Sequence, residues 1–298
     1  MGPGTIEQVA GVYHRRVGDI LVTALNDGHQ DAALATVCDI PAAEAAALLH
    51  AAYRPVPRRT AVNTFLVRSA GRVALVDTGC GPAKPTVGRL PANLAAAGVA
   101  PGEIDTVLMT HLHPDHFGGL AQDGQARFAA AELVLHEDEH AYWHDDAAMD
   151  RMADPARRRS FFGGARDSLV PYRDRTRLIR GGTVFPGVTA VPLPGHTPGH
   201  TGYLIESGGQ SLLIWGDIVH VPEIQVPRPE ATMAVDVDPA QTVATRRRLF
   251  DRVASERLAV AGMHLHFPAM AHLGRQGTVF ALYPDAWTTV LAGDAPAA

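Results

Sequence analysis

Cysteine is nearly absent. Cys38 and Cys80 are the only two in 298 residues, too few for a disulfide framework or a Cys-rich zinc site, so a reducing, cytoplasmic setting is expected. Lysine is scarcer still: Lys84 stands alone, and almost all of the 26 positive charges are Arg. With 31 acidic residues the net charge is −5, and no basic stripe exists beyond short runs such as Arg157, Arg158 and Arg159. Nucleic acid is therefore not an expected partner. Long apolar runs are missing too. No stretch reaches bilayer length, and Met1 to Gly18 lacks an apolar core flanked by basic residues, so neither a membrane span nor a leader is expected.

What is present describes a globular, enzyme-sized chain: 46% hydrophobic and 19% charged residues, with 29 Gly and 22 Pro. No repeat or low-complexity linker divides it, so one domain over 1–298 is expected, with an N-terminal half of about 1–180 and a C-terminal half of about 181–298. The unusual count is 15 His, because imidazole serves as ligand or proton carrier.

The pattern along the chain predicts strands at Asp19 to Ala24, Asn63 to Val67 and Val73 to Val76, the last two joined by a turn at Ala70 and Gly71. Helices are expected from Ala42 to Ala52 and from Val87 to Ala97. Ile104 to Thr110 and Leu133 to Leu135 read as further strands. The polar, Arg-rich segment 139–180 reads as helices and loop outside the sheet, a candidate lid. A second strand set follows at Val188 to Leu193, Gly202 to Glu206 and Ser211 to Trp215, with a Gly208-Gly209 turn. Asp238, Pro239 and Gln241 resemble a helix start, with Val243, Phe250, Val253 and Leu258 near helical spacing, and Leu258 to Ala261 reads as the final strand. Two strand-rich halves with helices between them predict an α+β fold, two β-sheets packed face to face and flanked by helices in an αββα sandwich.

Thr110-His111-Leu112-His113-Pro114-Asp115-His116 places three imidazoles and a carboxylate in six residues at the end of an apolar strand. In an extended chain His111 and His113 point the same way, and Pro114 turns the chain so that Asp115 and His116 reach a neighbouring point. At this His content such a pattern arises by chance on the order of once in a few hundred sequences, which favours metal binding over a solvated His-rich turn. Further donors are expected at other strand ends: His196 in Pro194-Gly195-His196-Thr197-Pro198-Gly199-His200, Asp217 after Trp215-Gly216, and His264 after the final strand.

These ordered motifs, with Asp77-Thr78-Gly79 after the first hairpin, resemble the metallo-β-lactamase superfamily of αββα hydrolases from Asp77 to His264. The resemblance implies that His111, His113 and His196 hold one metal ion, that Asp115, His116 and His264 hold a second, and that Asp217 bridges them. Asp77 would then orient a ligating His rather than bind metal itself. His200 and His220 read either as similar supports or as hydrogen-bonded turn residues, and the choice of His264 over His266 rests on the resemblance. All seven donors are N or O, which suits two divalent ions, Zn²⁺ first, with Mn, Co or Fe compatible. Members with a redox di-iron pair usually carry Glu where this chain has His113, which argues for hydrolysis. Two ions at such a site lower the pKa of a shared water to about 7, and Asp115 is the candidate to pass a proton to the leaving group.

Segments such as Ala24 to Gly28, Val62 to Val67, Trp215 to His220 and His264 to Pro268 resemble the group of methyl parathion hydrolase and related lactonases. That likeness implies a small-molecule lactone or ester substrate, N-acyl homoserine lactones foremost, with phosphotriester cleavage as a side reaction, and a homodimer. Phe117, Phe161 and Phe162 are the expected apolar contacts to substrate, with core packing the competing reading. A β-lactamase-like or thioester-cleaving enzyme is the alternative within hydrolases; a mononuclear iron sulfur dioxygenase and a non-catalytic binding protein stand outside them. His136-Glu137-Asp138-Glu139-His140 fits the zinc-protease pattern, yet His136 ends a predicted strand, so the two His would not share a helix face. Cys80 reads as a small buried filler.

Overall fold

The computed structural model describes residues 8–291, so the reading of Met1 to Gly18 lies partly outside the described residues. The first of two seven-stranded sheets runs in chain order: β1 (Val12–Val17), β2 (Ile20–Ala32), β3 (Arg58–Ser69), β4 (Arg72–Val76), β5 (Thr106–Leu108), β6 (Glu132–His136) and β7 (Thr176–Ile179). Pairing is antiparallel from β1 to β4 and parallel from β4 to β7. The second sheet repeats this order with β8 (Gly182–Phe185), β9 (Val188–Pro192), β10 (Thr201–Ser207), β11 (Gln210–Ile214), β12 (Ala259–Ala261), β13 (Met270–Gln276) and β14 (Val279–Pro284). Here only β11 and β12 are parallel.

Strand alternation explains the layering. Phe65, Val67, Ala74, Val76, Leu108 and Val134 point inward to a core shared with Val188, Ala190, Tyr203 and Ile205 of the second sheet. Their neighbours Leu66, Leu75, Val107, Leu133 and Leu135 point outward to a second core roofed by Leu90, Leu94, Trp143, Phe162, Leu169 and Tyr172. Helix Pro239–Glu256 covers the second sheet through Leu249, Phe250 and Val253. The result is the αββα sandwich expected from the sequence.

Both predicted hairpins form on two-residue turns in which each residue has positive φ: Ala70 at 51° and Gly71 at 74°, Gly208 at 58° and Gly209 at 74°. Asp238 caps its helix by accepting from Gln241 N at 2.9 Å. The buried stripe of that helix is Thr242, Thr245, Arg246, Leu249, Phe250 and Val253; Phe250 and Val253 lie on it as expected, whereas Val243 is only half-buried and Leu258 lies beyond the helix end. The helix expected from Val87 starts at Leu90 instead. Gly88 has φ +81°, incompatible with helix, and the Asp27 carboxylate accepts Leu90 N at 2.8 Å as a remote cap.

Three expectations are corrected. Segment 139–180 does not lie wholly outside the sheet, since Thr176–Ile179 pairs in parallel with β6 as its edge strand. Leu258 to Ala261 is not the final strand: β13 and β14 follow as an edge hairpin whose polar residues, among them His272, Arg275 and Gln276, hid the alternation. Strands β1 and β8 were also not anticipated, both being short and only partly buried. No helix among the described residues is long and apolar enough to cross a membrane.

Candidate metal centre

The predicted donors follow the C-terminal ends of central strands, where open α/β sheets leave a crevice. Asp77 follows β4, His111 to His116 follow β5, His196 follows β9, Asp217 follows β11 and His264 follows β12. His113 caps a single helical turn, Pro114–Phe117, that swings Asp115 and His116 back towards His111. Gly216 has φ +60°, and a Cβ there would lie 2.4 Å from His200 Nε2. Only glycine lets the chain reach Asp217 along this path.

The structure brings all seven predicted donors together. The rings of His111, His113 and His196 lie 4.6 to 4.8 Å apart between centroids. Asp217 Oδ2 sits at the middle, 3.7 Å from His111 Nε2, 3.2 Å from His116 Nε2, 3.5 Å from His196 Nε2 and 3.1 Å from His264 Nε2. Asp115 faces His116 Nε2 at 3.7 Å and His264 Nε2 at 3.6 Å. The groups His111, His113, His196 and Asp115, His116, His264 could each hold a metal ion. His220 also stands among the donors, with Nε2 3.0 Å from Asp217 Oδ2.

Orphaned atoms test whether a cation fits. Nε2 of His111, His116 and His196 and Oδ1 of Asp217 are buried without hydrogen-bond partners. Such groups are costly to leave unpaired, and all are metal-donor atoms facing one another. Burial, reinforced by neighbouring His charges, holds His111 and His113 well below the ordinary imidazole pKa, in the neutral ligating form. Burial works against charge on His116 as well, but Asp217, Asp77 and Asp115 outweigh it and hold that pKa well above the usual range. Burial would raise Asp217, yet His116, His264 and their neighbours keep it ionised far below the usual carboxylate range. The donor set therefore fits a divalent cation.

The far nitrogens of the rings are fixed, as ligating imidazoles require. Asp77, at φ +56°, accepts from Thr110 N at 2.7 Å and Thr110 Oγ1 at 2.6 Å, and its Oδ2 meets His116 Nδ1 at 2.7 Å. His264 Nδ1 lies 2.8 Å from the Ala61 carbonyl. His200 Nδ1 lies 2.9 Å from the Leu193 carbonyl while its Nε2 accepts from Asp217 N at 2.9 Å, which requires the neutral ring. Burial accordingly lowers its pKa to about 3, and burial lowers that of His220 to about 4.

Three supports escaped sequence reasoning. Asp236 meets His196 Nδ1 at 2.6 Å from 40 residues away and carries no local signal. Glu139, fully buried, accepts from Leu112 N at 2.8 Å, Trp143 Nε1 at 2.6 Å, Thr197 Oγ1 at 2.6 Å and Gly199 N at 3.0 Å. It clamps the His113 loop to the His196 loop. It lies inside the rejected protease pattern, but at a position to which that pattern gives no role. Arg246 donates to the carbonyls of Ile218, Pro229 and Ala231 and holds the chain around Asp217.

The remaining candidates lie elsewhere. His136 Nδ1 accepts from Asp138 N at 3.2 Å, capping helix Glu137–His144, while His140 stacks on His144; the protease pattern does not converge. His266 turns from the cluster to Glu223. Cys80 packs with Val62 and Val87. A cavity of about 440 Å³ opens over Asp115, Asp217, His220 and His264 and is walled in part by Phe161. Phe117 and Phe162 do not line it; both are buried in the outer core, where Phe162 packs on Trp143 at 4.7 Å.

The fold and this cluster define a class, and the chain belongs to it: the Metallo-beta-lactamase superfamily, whose family model matches residues 57–264. Among solved structures it is similar to the hydrolase AbOPH in the beta lactamase superfamily, with 31% identity, 95% of this chain and 100% of that chain covered, and a TM-score of 0.90. It shares the fold of AidC, a dizinc quorum-quenching lactonase, at 24% identity, the same coverage and a TM-score of 0.89. Among curated proteins it is 32% identical over 99 residues to the N-acyl homoserine lactonase AiiB of Agrobacterium fabrum, covering 27% of this chain and 34% of that protein. It is 30% identical over 159 residues to the uncharacterized protein YobT of Bacillus subtilis, covering 52% of this chain and 61% of YobT. The chain thus spans less than two thirds of either curated relative.

Proposed function

We propose that the protein is a dinuclear metal-dependent hydrolase that opens lactone rings, N-acyl homoserine lactones among them, with phosphotriester cleavage as a side activity. The observation that carries this reading is the convergence of buried, unpartnered His and Asp atoms on Asp217 Oδ2 beneath an open cavity. Likeness to the AiiB lactonase supports the lactone over other esters.

His111, His113 and His196 would hold one ion, Asp115, His116 and His264 the other, and Asp217 both; an all-N/O donor set favours Zn²⁺. When bound, the ions supply Lewis-acid activation of water and of the substrate oxygen. Asp115 is the donor carboxylate most open to the cavity, its side chain 24% exposed, and Gln30 Nε2 holds its Oδ2 at 3.2 Å. That position suits it to deliver a proton to the departing alkoxide. Phe161, 5.2 Å from the His113 ring, shields one side from water.

The test is acid release from a panel of N-acyl homoserine lactones and simple γ- and δ-lactones, comparing zinc-loaded with chelator-stripped protein. Metal-dependent opening is expected. Protein shown to hold two ions yet opening none of them would overturn the lactone reading in favour of phosphotriesters, β-lactams or thioesters.

A further inference from the structure

Arg58 on the cavity wall meets hydroxyl groups rather than a carboxylate among the described residues. Arg58 opens β3 opposite Ala32 and is only 7% exposed. Its Nη1 donates to Thr60 Oγ1 and its Nη2 to Thr36 Oγ1 at 3.2 Å, while Nε is buried without a partner. Two neutral hydroxyls thus occupy two of the five N–H donors of the guanidinium. Burial pulls its pKa down, and the carboxylate that opposes this is Asp115, within the metal centre. A buried guanidinium without a matched anion in direct contact is unfavourable in itself.

Its location gives that charge a use. Arg58 lines the same cavity as Asp115, Asp217, His220 and His264. Lys84 is a second cation on this wall, its Nζ donating to Gln30 Oε1 at 3.0 Å. The negative charge of Asp31 on the same wall is taken up by Arg59 at 3.0 Å. A neutral acyl chain would leave Arg58 uncompensated, whereas a carboxylate would accept charge-assisted hydrogen bonds on the planar edge of the guanidinium.

We propose that Arg58 is a specificity residue of this cavity, and that the preferred substrate is a lactone or ester bearing a second, free carboxylate received by the Arg58 guanidinium. This rests on the hydrolase reading above. Water adds across the ester bond and one proton is released, so a lactone gives a single dicarboxylate bearing an alcohol and an open ester gives a carboxylate and a separate alcohol.

The matched probes are 5-oxotetrahydrofuran-2-carboxylate and its neutral carboxamide, assayed by acid release with zinc-loaded wild type, Arg58→Met and Arg58→Lys. Wild type should favour the carboxylate by about tenfold or more in kcat/KM. Arg58→Met should bring the ratio to within about twofold, and Arg58→Lys should retain part of it, since a point charge replaces the fork. A wild-type ratio near one, or a ratio unchanged by Arg58→Met, overturns the proposal. Calorimetric titration of the same proteins with glutarate and butyrate reads recognition without turnover. A gain for glutarate in wild type that Arg58→Met removes supports the proposal even if neither lactone is opened, an outcome that would count against the lactonase reading alone. No gain for glutarate in wild type counts against Arg58.

Discussion

The two halves of the molecule contribute to the metal centre in different ways. The first half presents four of the donors from one loop, His111 to His116, shaped by the helical turn after Pro114 and braced at both ends by one carboxylate, Asp77, which holds Thr110 and His116. The second half presents three donors from three strand ends, each fixed by a remote partner. His196 depends on Asp236, Asp217 on His200, and His264 on Ala61 across the sheet interface. Asn63 strengthens that last link by donating to the carbonyls of Met263 at 2.9 Å and Leu265 at 2.8 Å. Four donors on one loop can be written as a short motif. Donors that rely on packing must be supported by residues scattered along the chain.

The largest effect should come from removing one donor from each half. His116→Ala and Asp217→Ala are each expected to lower bound metal and hydrolysis together, by more than the roughly 10–100-fold that loss of an outer-sphere partner costs. Metal analysis beside lactone turnover checks this. Either variant retaining full metal and rate would remove it from the ligand set, and a large difference between them would show that one half binds metal without the other.

Next in size is the clamp between the halves. Glu139→Ala leaves the Leu112 and Gly199 amides, the Trp143 indole N–H and the Thr197 hydroxyl without their acceptor. A loss of about 3–5 kcal/mol in urea unfolding is expected, because several buried donors lose their acceptor at about 1–3 kcal/mol each. A change below about 0.5 kcal/mol, the range of ordinary surface substitutions, would mean that the halves are held together elsewhere.

A smaller, pH-dependent effect isolates the support of Asp217. Burial holds His200 at about 3 in the fold against an ordinary 6.5, so between these values the unfolded chain binds the extra proton. The stability His200 contributes is complete above 6.5 and is lost as pH falls through that window. The melting-temperature gap between metal-free wild type and His200→Gln should therefore narrow from about pH 7.5 to about pH 5. A gap that widens on acidification would refute the neutral, accepting ring.

The smallest effect is expected at His136, which lies outside the cluster and contributes a helix cap. His136→Ala should lower stability by about 1 kcal/mol and leave metal content and turnover unchanged. Loss of metal from this variant would bring back the protease-like pattern.

Legibility in the sequence follows the same division. The His111 to His116 motif and the two hairpin turns could be read directly, because each is specified within a few residues. His196, Asp217 and His264 were readable as polar residues at strand ends, but their assignment to one centre came from a family resemblance. Asp236 and Arg58 gave no signal, since a lone Asp and a lone Arg are ordinary surface residues until packing buries them. The edge strands β1, β8 and β14, with β13 beside the last, were missed because half-exposed strands tolerate polar residues and lose the period-2 pattern.

By itself, then, the sequence determined the chemistry of the donors, the layer class and the local turns, since residue type and short spacing set these. Tertiary structure decided which carboxylate serves which imidazole, that Glu139 is a clamp between two loops, and that Phe161 but not Phe162 faces the cavity. Those choices depend on the distance between residues remote in the chain and on which face of an element is buried, and both arise only when the two sheets pack.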